Sequence, residues 1–192
     1  MSARGRAGKI ALVAWFVAMV AVGSGLLAKH VLALPAPAVS PKLAASLDAL
    51  RGPHAQSTWL AVHVLYSECR CSQRIVDHLV STERPVGWSE IVLWVGNLAP
   101  RAELEQRFDV RRVRSADLAA YGIEAAPLLV VVDPAGHVRY AGGYTTRKQG
   151  PVIDDLRIFD DSRREAVVAS LPVFGCAVSD RLKRALAVLP TP

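Results

Sequence analysis

The sequence predicts an α/β domain with a mixed central sheet, preceded by one N-terminal transmembrane helix. Three observations carry this prediction. An uncharged apolar run occupies residues 10–28. Two apolar segments, 58–66 and 88–95, are each followed by a stretch of helical character, and a third, 128–132, leads into a turn and a returning strand. With 192 residues and 52% hydrophobic content, the chain can form one domain of ordinary size with extensions.

The apolar run from Ile10 to Ala28 carries no charge. At about 1.5 Å per helical residue it spans roughly the 30 Å of a bilayer's hydrocarbon core, whereas the apolar part of a signal peptide usually has about 7–15 residues. We therefore favour a retained anchor. The alternative is a cleaved signal sequence, for which the small residues of LALPAPA could form the cleavage site. Arg4, Arg6 and Lys9 precede the run, which predicts a cytoplasmic N-terminus and an external domain in an oxidising compartment.

The predicted organisation has three parts: a basic tip and anchor at 1–30, a Pro/Ala-rich linker at 31–45, and one domain at 46–192. Prolines in the linker discourage both helix and sheet and favour an extended spacer. The net charge of +6 is divided between the N-terminal tip and segments that also carry acids, such as RAELEQR. This distribution gives little support for nucleic-acid binding, and no phosphate loop or Ser-His-Asp spacing is present.

The first strand of the domain is TWLAVHVLY at 58–66, with apolar residues at both parities, as in a central strand covered on both faces. The following SECRCSQRIVDHLV begins with a serine of the N-cap type and continues with apolar positions at helical spacing. Cys69 and Cys71 therefore fall where a strand passes into a helix. A second strand is expected at 88–95.

The rest of the domain alternates short helices and strands. PRAELEQRF and SADLAAYG predict two helices, the second ending near Gly122. LLVVV at 128–132 is a third strand, DPAG a turn, and HVRYAGG a fourth strand. After the polar stretch TTRKQGPVIDD we expect a helix at 162–170 and a final helix beyond FGCAVS.

The segments TWLAVHVLY, SECRCSQR and YGIEAAPLLVVVDPAGHVRYAGGY resemble the thioredoxin-like superfamily. The anchor, the C-x-C motif, YTTRKQGP and FGCAVS are similar, more narrowly, to membrane-anchored redoxins grouped as RedB-like thiol-disulfide oxidoreductases. The resemblance implies a thioredoxin-like three-layer sandwich with a cis-proline at Pro127. It also implies a single-pass protein of the bacterial inner membrane with a periplasmic domain. Most members carry C-x-x-C, whereas this chain has Cys69-Arg70-Cys71.

A thiol must become a thiolate before it attacks a disulfide, and the free N–H groups at a helix start stabilise that anion. Arg70 adds positive charge nearby, whereas Glu68 opposes it. A C-x-C disulfide would close a smaller ring than C-x-x-C, and the strain predicts easier reduction than in thioredoxin. The resemblance implies that Cys69 attacks, that Cys71 resolves the mixed disulfide, that Arg70 tunes the thiolate, and that Pro127 presents backbone to the substrate chain.

The third cysteine, Cys176, lies in FGCAVSD near the C-terminus. It could resolve a mixed disulfide, pair with another protein, or be buried as a small hydrophobic residue. The pair Cys69 and Cys71 could also form an inert bridge or stay unpaired, because reactivity depends on exposure.

The function favoured by the sequence is a membrane-tethered thiol-disulfide oxidoreductase that exchanges a Cys69–Cys71 dithiol/disulfide with protein or small thiol substrates, without a cofactor. One alternative is a Cu(I) chaperone or assembly factor with Cys69, Cys71 and Cys176 as ligands, because thiolates suit Cu(I). Another is a non-catalytic accessory subunit of a membrane complex. His63 could add a metal ligand, but a lone histidine in an apolar strand is more often a hydrogen-bonded core residue. The expected partners are the membrane and a thiol- or disulfide-bearing protein.

Overall fold

The structure is a computed structural model that describes residues 3–52, 57–119, 121–164 and 168–187. It divides into an N-terminal helix and a domain that starts at Ala33. The helix, α1 (Ala3–Val31), contains the window Gly8–Gly25, which is long and apolar enough to cross a membrane. By length and composition it could be a membrane anchor or a signal sequence.

The domain contains short helices and strands in alternation. Its helices are α2 (Pro41–Asp48), α3 (Arg70–Ser81), α4 (Ala102–Arg107), α5 (Ser115–Ala119), α6 (Asp155–Arg163) and α7 (Asp180–Ala187). Its strands are β1 (Trp59–Tyr66), β2 (Trp88–Val95), β3 (Asp109–Val113), β4 (Ala125–Ala126), β5 (Leu128–Val132), β6 (Val138–Gly142) and β7 (Cys176–Ala177).

The five longer strands form one mixed sheet in the order β3-β2-β1-β5-β6. The pairs β1–β2 and β2–β3 are parallel, whereas β1–β5 and β5–β6 are antiparallel. The sheet confirms the predicted mixed α/β class. The short strands β4 and β7 pair with each other, antiparallel, in a separate ladder.

Helices cover both faces of the sheet, because side chains of β1 alternate between two hydrophobic clusters. Leu60 and Val62 belong to the cluster that contains the buried leucines of α2. Ala61 and Leu65 belong to the cluster that contains apolar residues of α3, α4 and α6. The central position of β1 explains why its sequence is apolar at both parities.

The predicted linker at 31–45 differs from an extended spacer. Ser40 caps α2 by accepting a hydrogen bond from the Leu43 N–H at 3.2 Å, and Leu43 is buried in the domain core. Leu34 also donates its N–H to the carbonyl of Val173 at 2.8 Å. Apolar residues spaced along one face of α2 therefore attach this segment to the domain.

The structure contains one strand that was not predicted, and one predicted helix is displaced. The strand β3, DVRRV, was not expected, because its arginines conceal the pattern of a short edge strand. The helix expected at 162–170 begins instead at Asp155, where Ile158 and Phe159 provide its buried face. Of that predicted helix, residues 165–167 lie outside the described residues.

Candidate functional site

The junction between β1 and α3 places two cysteines at the start of a helix, as predicted. Cys69 is the N-cap residue, and its N–H donates to the carbonyl of Tyr66 at 3.0 Å. The buried hydroxyl of Ser72 accepts a hydrogen bond from the Tyr66 N–H at 3.0 Å. These bonds tie the first turn of α3 to the end of β1. The predicted capping serine, Ser67, instead donates its hydroxyl to Glu68.

The disulfide at this junction joins Cys69 to Cys176, with Cα atoms 6.0 Å apart, and Cys71 is free. This corrects the expected Cys69–Cys71 bond, and the argument from small-ring strain does not apply to the bond that is present. Cys69 is also fully buried rather than exposed. Cys71 is partly exposed.

The pairing of β4 with β7 brings Cys176 to Cys69. In that ladder Cys176 lies opposite Ala126, and the Sγ of Cys69 lies 3.9 Å from the carbonyl oxygen of Ala126. The two half-cystines therefore meet through strand register, across a sequence separation of 107 residues.

Pro127 follows Ala126 through a cis peptide bond, as the resemblance implies. It contributes to a cavity of about 290 Å³ that Cys71 also lines. The other lining residues used below are the basic Arg70 and Arg74 and the aromatic Tyr144 and Phe174. The structure thus brings Cys71, Arg70 and Pro127 together, while Cys176 reaches the site through its bond to Cys69.

Some of the charged side chains around the start of α3 form hydrogen bonds, and others do not. A hydrogen bond from the Ser67 hydroxyl, with a second from the Asn97 N–H at 3.0 Å, lowers the pKa of Glu68. Arg74 donates to the carbonyl of Gly150. The Arg70 side chain is exposed and forms no hydrogen bond or ion pair with the residues that the structure describes. Both arginines therefore bring positive charge to the cavity, because a hydrogen bond to a neutral carbonyl leaves the charge of Arg74 in place.

A buried polar pair lies beside the cavity. His63 is fully buried, with Nδ1 at 2.8 Å from the Tyr144 hydroxyl and Nε2 at 3.0 Å from a carboxylate oxygen of Glu90. His63 is therefore a hydrogen-bonded core residue, as expected. Burial raises the pKa of Tyr144 well above its ordinary value, so its hydroxyl stays neutral.

The polar pair continues into a charged cluster around Arg84. Arg84 donates to Glu90 at 2.7 Å and to Asp155 at 2.8 Å, and Asp155 is fully buried. His78 is half-buried with Nε2 at 2.8 Å from Asp155. The spacing of these residues along the chain gave no sign of this cluster, because they come from α3, the loop after it, β2 and α6.

A metal site built from the three cysteines would need all three in the reduced state. Among the described residues, no group of three histidine, cysteine, aspartate or glutamate side chains could hold a metal ion. Cys69 and Cys176 share a disulfide, so a Cu(I) site with Cys71 would first require reduction. Copper binding stays a prediction of the sequence.

The chain was compared with known families and proteins. No family model matches it, and no curated protein matches its sequence. Among solved structures it is similar to an uncharacterized conserved protein from Geobacillus kaustophilus, with 14% identity and a TM-score of 0.49 over 78% of this chain and 91% of that one. It is also similar to a hypothetical protein from Sinorhizobium meliloti 1021, with 17% identity and a TM-score of 0.42 over 65% of this chain and 80% of that one. Neither description gives an activity.

Proposed function

We propose that the chain is a membrane-tethered thiol-disulfide oxidoreductase with a thioredoxin-like fold. The observation that carries the proposal is the Cys69–Cys176 disulfide at a helix start, with the free thiol of Cys71 two residues away. A bond with a purely structural role needs no third sulfur, whereas exchange needs a thiol within reach of the bond. The mixed sheet and the position of Pro127 beside Cys71 support the same fold assignment.

The three sulfurs can carry a balanced exchange, written here for reduction of a substrate disulfide. The Cys69 thiolate attacks one substrate sulfur, and the other leaves as a thiolate. Cys71 then attacks Cys69 in the mixed disulfide, which releases the second substrate thiolate and forms a Cys69–Cys71 bond. Cys176 attacks Cys69 in turn, which restores the Cys71 thiol and gives the bond in the structure. Two electrons pass to the substrate, and its two thiolates take protons from water.

The proposed location is the outer face of a bacterial inner membrane, supported by the apolar length of α1 and the basic residues before it. We expect the full chain to stay in the membrane fraction after an alkaline carbonate wash. Protease added to spheroplasts should digest the domain. A soluble chain whose N-terminus maps beyond residue 31 would show instead that α1 is a cleaved signal sequence.

The exchange activity can be tested on the purified full chain in detergent. Oxidised protein is equilibrated with graded mixtures of reduced and oxidised glutathione, quenched in acid and alkylated, and its cysteine pairs are identified by mass spectrometry. We expect the Cys69–Cys176 bond to open and reform while the far-ultraviolet circular dichroism stays native. In Cys71→Ser the mixed disulfide on Cys69 should accumulate at least about tenfold more, because Cys71, the proposed resolving thiol, is absent and only Cys176 is left to attack Cys69.

The matched variant for this experiment is Cys176→Ser, which keeps Cys69 and Cys71. It should form a Cys69–Cys71 bond and resolve the mixed disulfide at a rate close to that of the wild type. A Cys69–Cys176 bond that opens only when the chain is denatured would identify a structural bridge. Tight stoichiometric Cu(I) binding by the reduced protein, lost in Cys69→Ser, would favour the copper chaperone instead.

A further inference from the structure

The cavity beside Cys71 has a basic wall and a small volume. Arg70 and Arg74 both line it, and none of the described residues that line it is an aspartate or a glutamate. Its volume of about 290 Å³ lies at the lower end of the range of about 300–1,000 Å³ that is typical of small-molecule pockets. Size and charge together indicate a small anionic ligand.

The two arginines keep donors that a ligand can use. Arg74 donates to the carbonyl of Gly150, and one such bond leaves the other N–H groups of its guanidinium available. The Arg70 side chain is exposed and has no hydrogen-bond partner in the part of the chain that the structure describes. The carboxylate of Glu68 accepts instead from the Asn97 N–H at 3.0 Å, on the loop after β2, and does not line the cavity.

The loop 144–150 supplies a further donor. Gln149 lines the cavity with a backbone φ of 54°, in the left-handed region that residues other than glycine rarely adopt. Such backbone outliers are often found at ligand sites. The hydroxyl of Thr145 donates to the carbonyl of Arg147 at 2.9 Å, a bond within the same loop. The side-chain amide of Gln149 therefore adds two N–H groups to a wall that already carries the two arginines.

A reactive sulfur lies on the same wall. Cys71 is partly exposed and is the cysteine that remains a thiol, whereas Cys69 and Cys176 share a disulfide. Arg74 follows Cys71 by three residues and lies on the same face of α3. Phe174 adds apolar surface to the cavity. A small molecule could thus place an anionic group on the arginines and a sulfur atom beside Cys71.

We propose that this cavity binds small disulfides that carry a carboxylate or sulfonate group, together with the corresponding thiols, and that Cys71 is the sulfur with which they react. The proposal rests on the proposed function and narrows its substrate class by charge. Guanidinium groups form charge-assisted, often bidentate hydrogen bonds with such planar or branched oxyanions. A cationic disulfide of the same size would meet two like charges in the cavity.

The reaction of the oxidised chain with such a disulfide is one balanced exchange. The Cys71 thiol gives its proton to water, and the thiolate attacks one sulfur of the bound disulfide. A bond forms between that sulfur and the Sγ of Cys71, and the other half leaves as a thiolate that takes a proton. Cys71 is oxidised and the leaving sulfur is reduced, while the Cys69–Cys176 bond is unchanged. In the reverse direction the anionic thiol attacks the mixed disulfide and restores Cys71.

The test uses the oxidised full chain in a neutral detergent at low ionic strength and three small disulfides. Oxidised mercaptoethanesulfonate is anionic, oxidised mercaptoethanol is neutral, and cystamine is cationic. Mass spectrometry measures the rate at which each forms a mixed disulfide with Cys71, and this rate is divided by that of N-acetylcysteine amide, an uncharged model thiol. We expect the corrected anionic rate to exceed the neutral rate at least about tenfold and the cationic rate to be the lowest. In about 1 M salt the anionic preference should fall below about threefold, because charges are screened within about 3 Å.

Variants of the arginines test the source of the preference. Both arginines also favour the Cys71 thiolate, but the ratio of the anionic rate to the neutral rate cancels that effect. We expect Arg70→Gln, which removes an exposed side chain, to lower the ratio at least about threefold, and the double variant with Arg74→Gln to bring it close to that of the model thiol. The matched control is Arg111→Gln on β3, which removes the same charge from a pair with Asp109 and should keep the wild-type ratio.

Equal corrected rates for the three disulfides would overturn the anionic substrate class, while exchange of the Cys69–Cys176 bond with glutathione would leave the proposed function standing. A Cys71 thiol that reacts with none of them, in a chain whose Cys69–Cys176 bond still exchanges, would also overturn the cavity site alone. Loss of both reactions would overturn the site and the proposed function. A preference that survives in the double variant would overturn the role of the two arginines.

Discussion

Replacing Arg84 with methionine is expected to destabilise the folded domain by about 3–5 kcal/mol. Arg84 donates to Asp155 at 2.8 Å and to Glu90 at 2.7 Å, and it is itself largely buried. Methionine fills similar space without charge, so two carboxylates would be left with only His63 and His78 as hydrogen-bond partners. A buried charge without its counter-charge is among the most costly defects in a core.

The stability lost in Arg84→Met should depend on pH, and it should be larger at neutral pH than in acid. Burial disfavours the charged form of both carboxyl groups, but a hydrogen bond from His78 and the positive charge of Arg84 outweigh it and lower the pKa of Asp155. Hydrogen bonds from His63 and Arg84 likewise lower the pKa of Glu90 against burial. A carboxyl group with a lowered pKa in the folded state contributes stability above its unfolded value, about 4, and loses it as pH falls through the folded value. The difference in the free energy of unfolding between Arg84→Met and the wild type should therefore shrink below about pH 4.

Urea denaturation of the full chain in detergent, followed by circular dichroism at neutral and acid pH, measures both effects. The matched control is Arg114→Met, which removes the same charge from an exposed pair with Asp117. It should leave the unfolding midpoint unchanged, because exposed ion pairs are screened by solvent. Equal midpoints for the two variants would contradict the role assigned to the buried cluster.

The parts of the fold that could be predicted are those that local pattern determines. The strands β1, β2 and β5 are continuous apolar runs, so burial on both faces marks them in the sequence. The strand β3 carries charged residues at the sheet edge, and β4 and β7 have two residues each, too few for any periodicity. Those elements exist because of tertiary pairing, which sequence spacing does not record.

In the candidate site, too, local sequence predicts some features, whereas others depend on tertiary structure. The helix start that holds Cys69 and Cys71 follows from a strand passing into an amphipathic segment, and the cis peptide bond before Pro127 was implied by the resemblance. The partner of Cys69 was not predictable, because a bond across 107 residues depends on the path of the intervening chain. The one local signal was the glycine before Cys176, which indicates close approach of another backbone.

Opening the Cys69–Cys176 bond is expected to lower the free energy of unfolding by about 2–4 kcal/mol. The bond joins residues 107 positions apart, so its loss frees a long loop in the unfolded chain. The chain-entropy estimate for a loop of about 100 residues is about 4.7 kcal/mol, and residual structure in the unfolded state reduces it. The matched control is Cys71→Ser, which keeps the bond and should unfold like the oxidised wild type.

The same free energy must appear in the reduction potential of the bond, because folding and reduction form one thermodynamic cycle. At about 30 mV for each 1.4 kcal/mol, a stabilisation of 2–4 kcal/mol makes the bond about 40–90 mV harder to reduce in the folded chain than in the unfolded one. Glutathione equilibria with and without urea measure this shift, and urea curves of oxidised and reduced protein measure the stability. A shift of this size in both measurements would show that the fold itself holds Cys176 on Cys69. A folded chain that is reduced as easily as the unfolded one would mean that strand pairing of β4 with β7 contributes nothing to the bond.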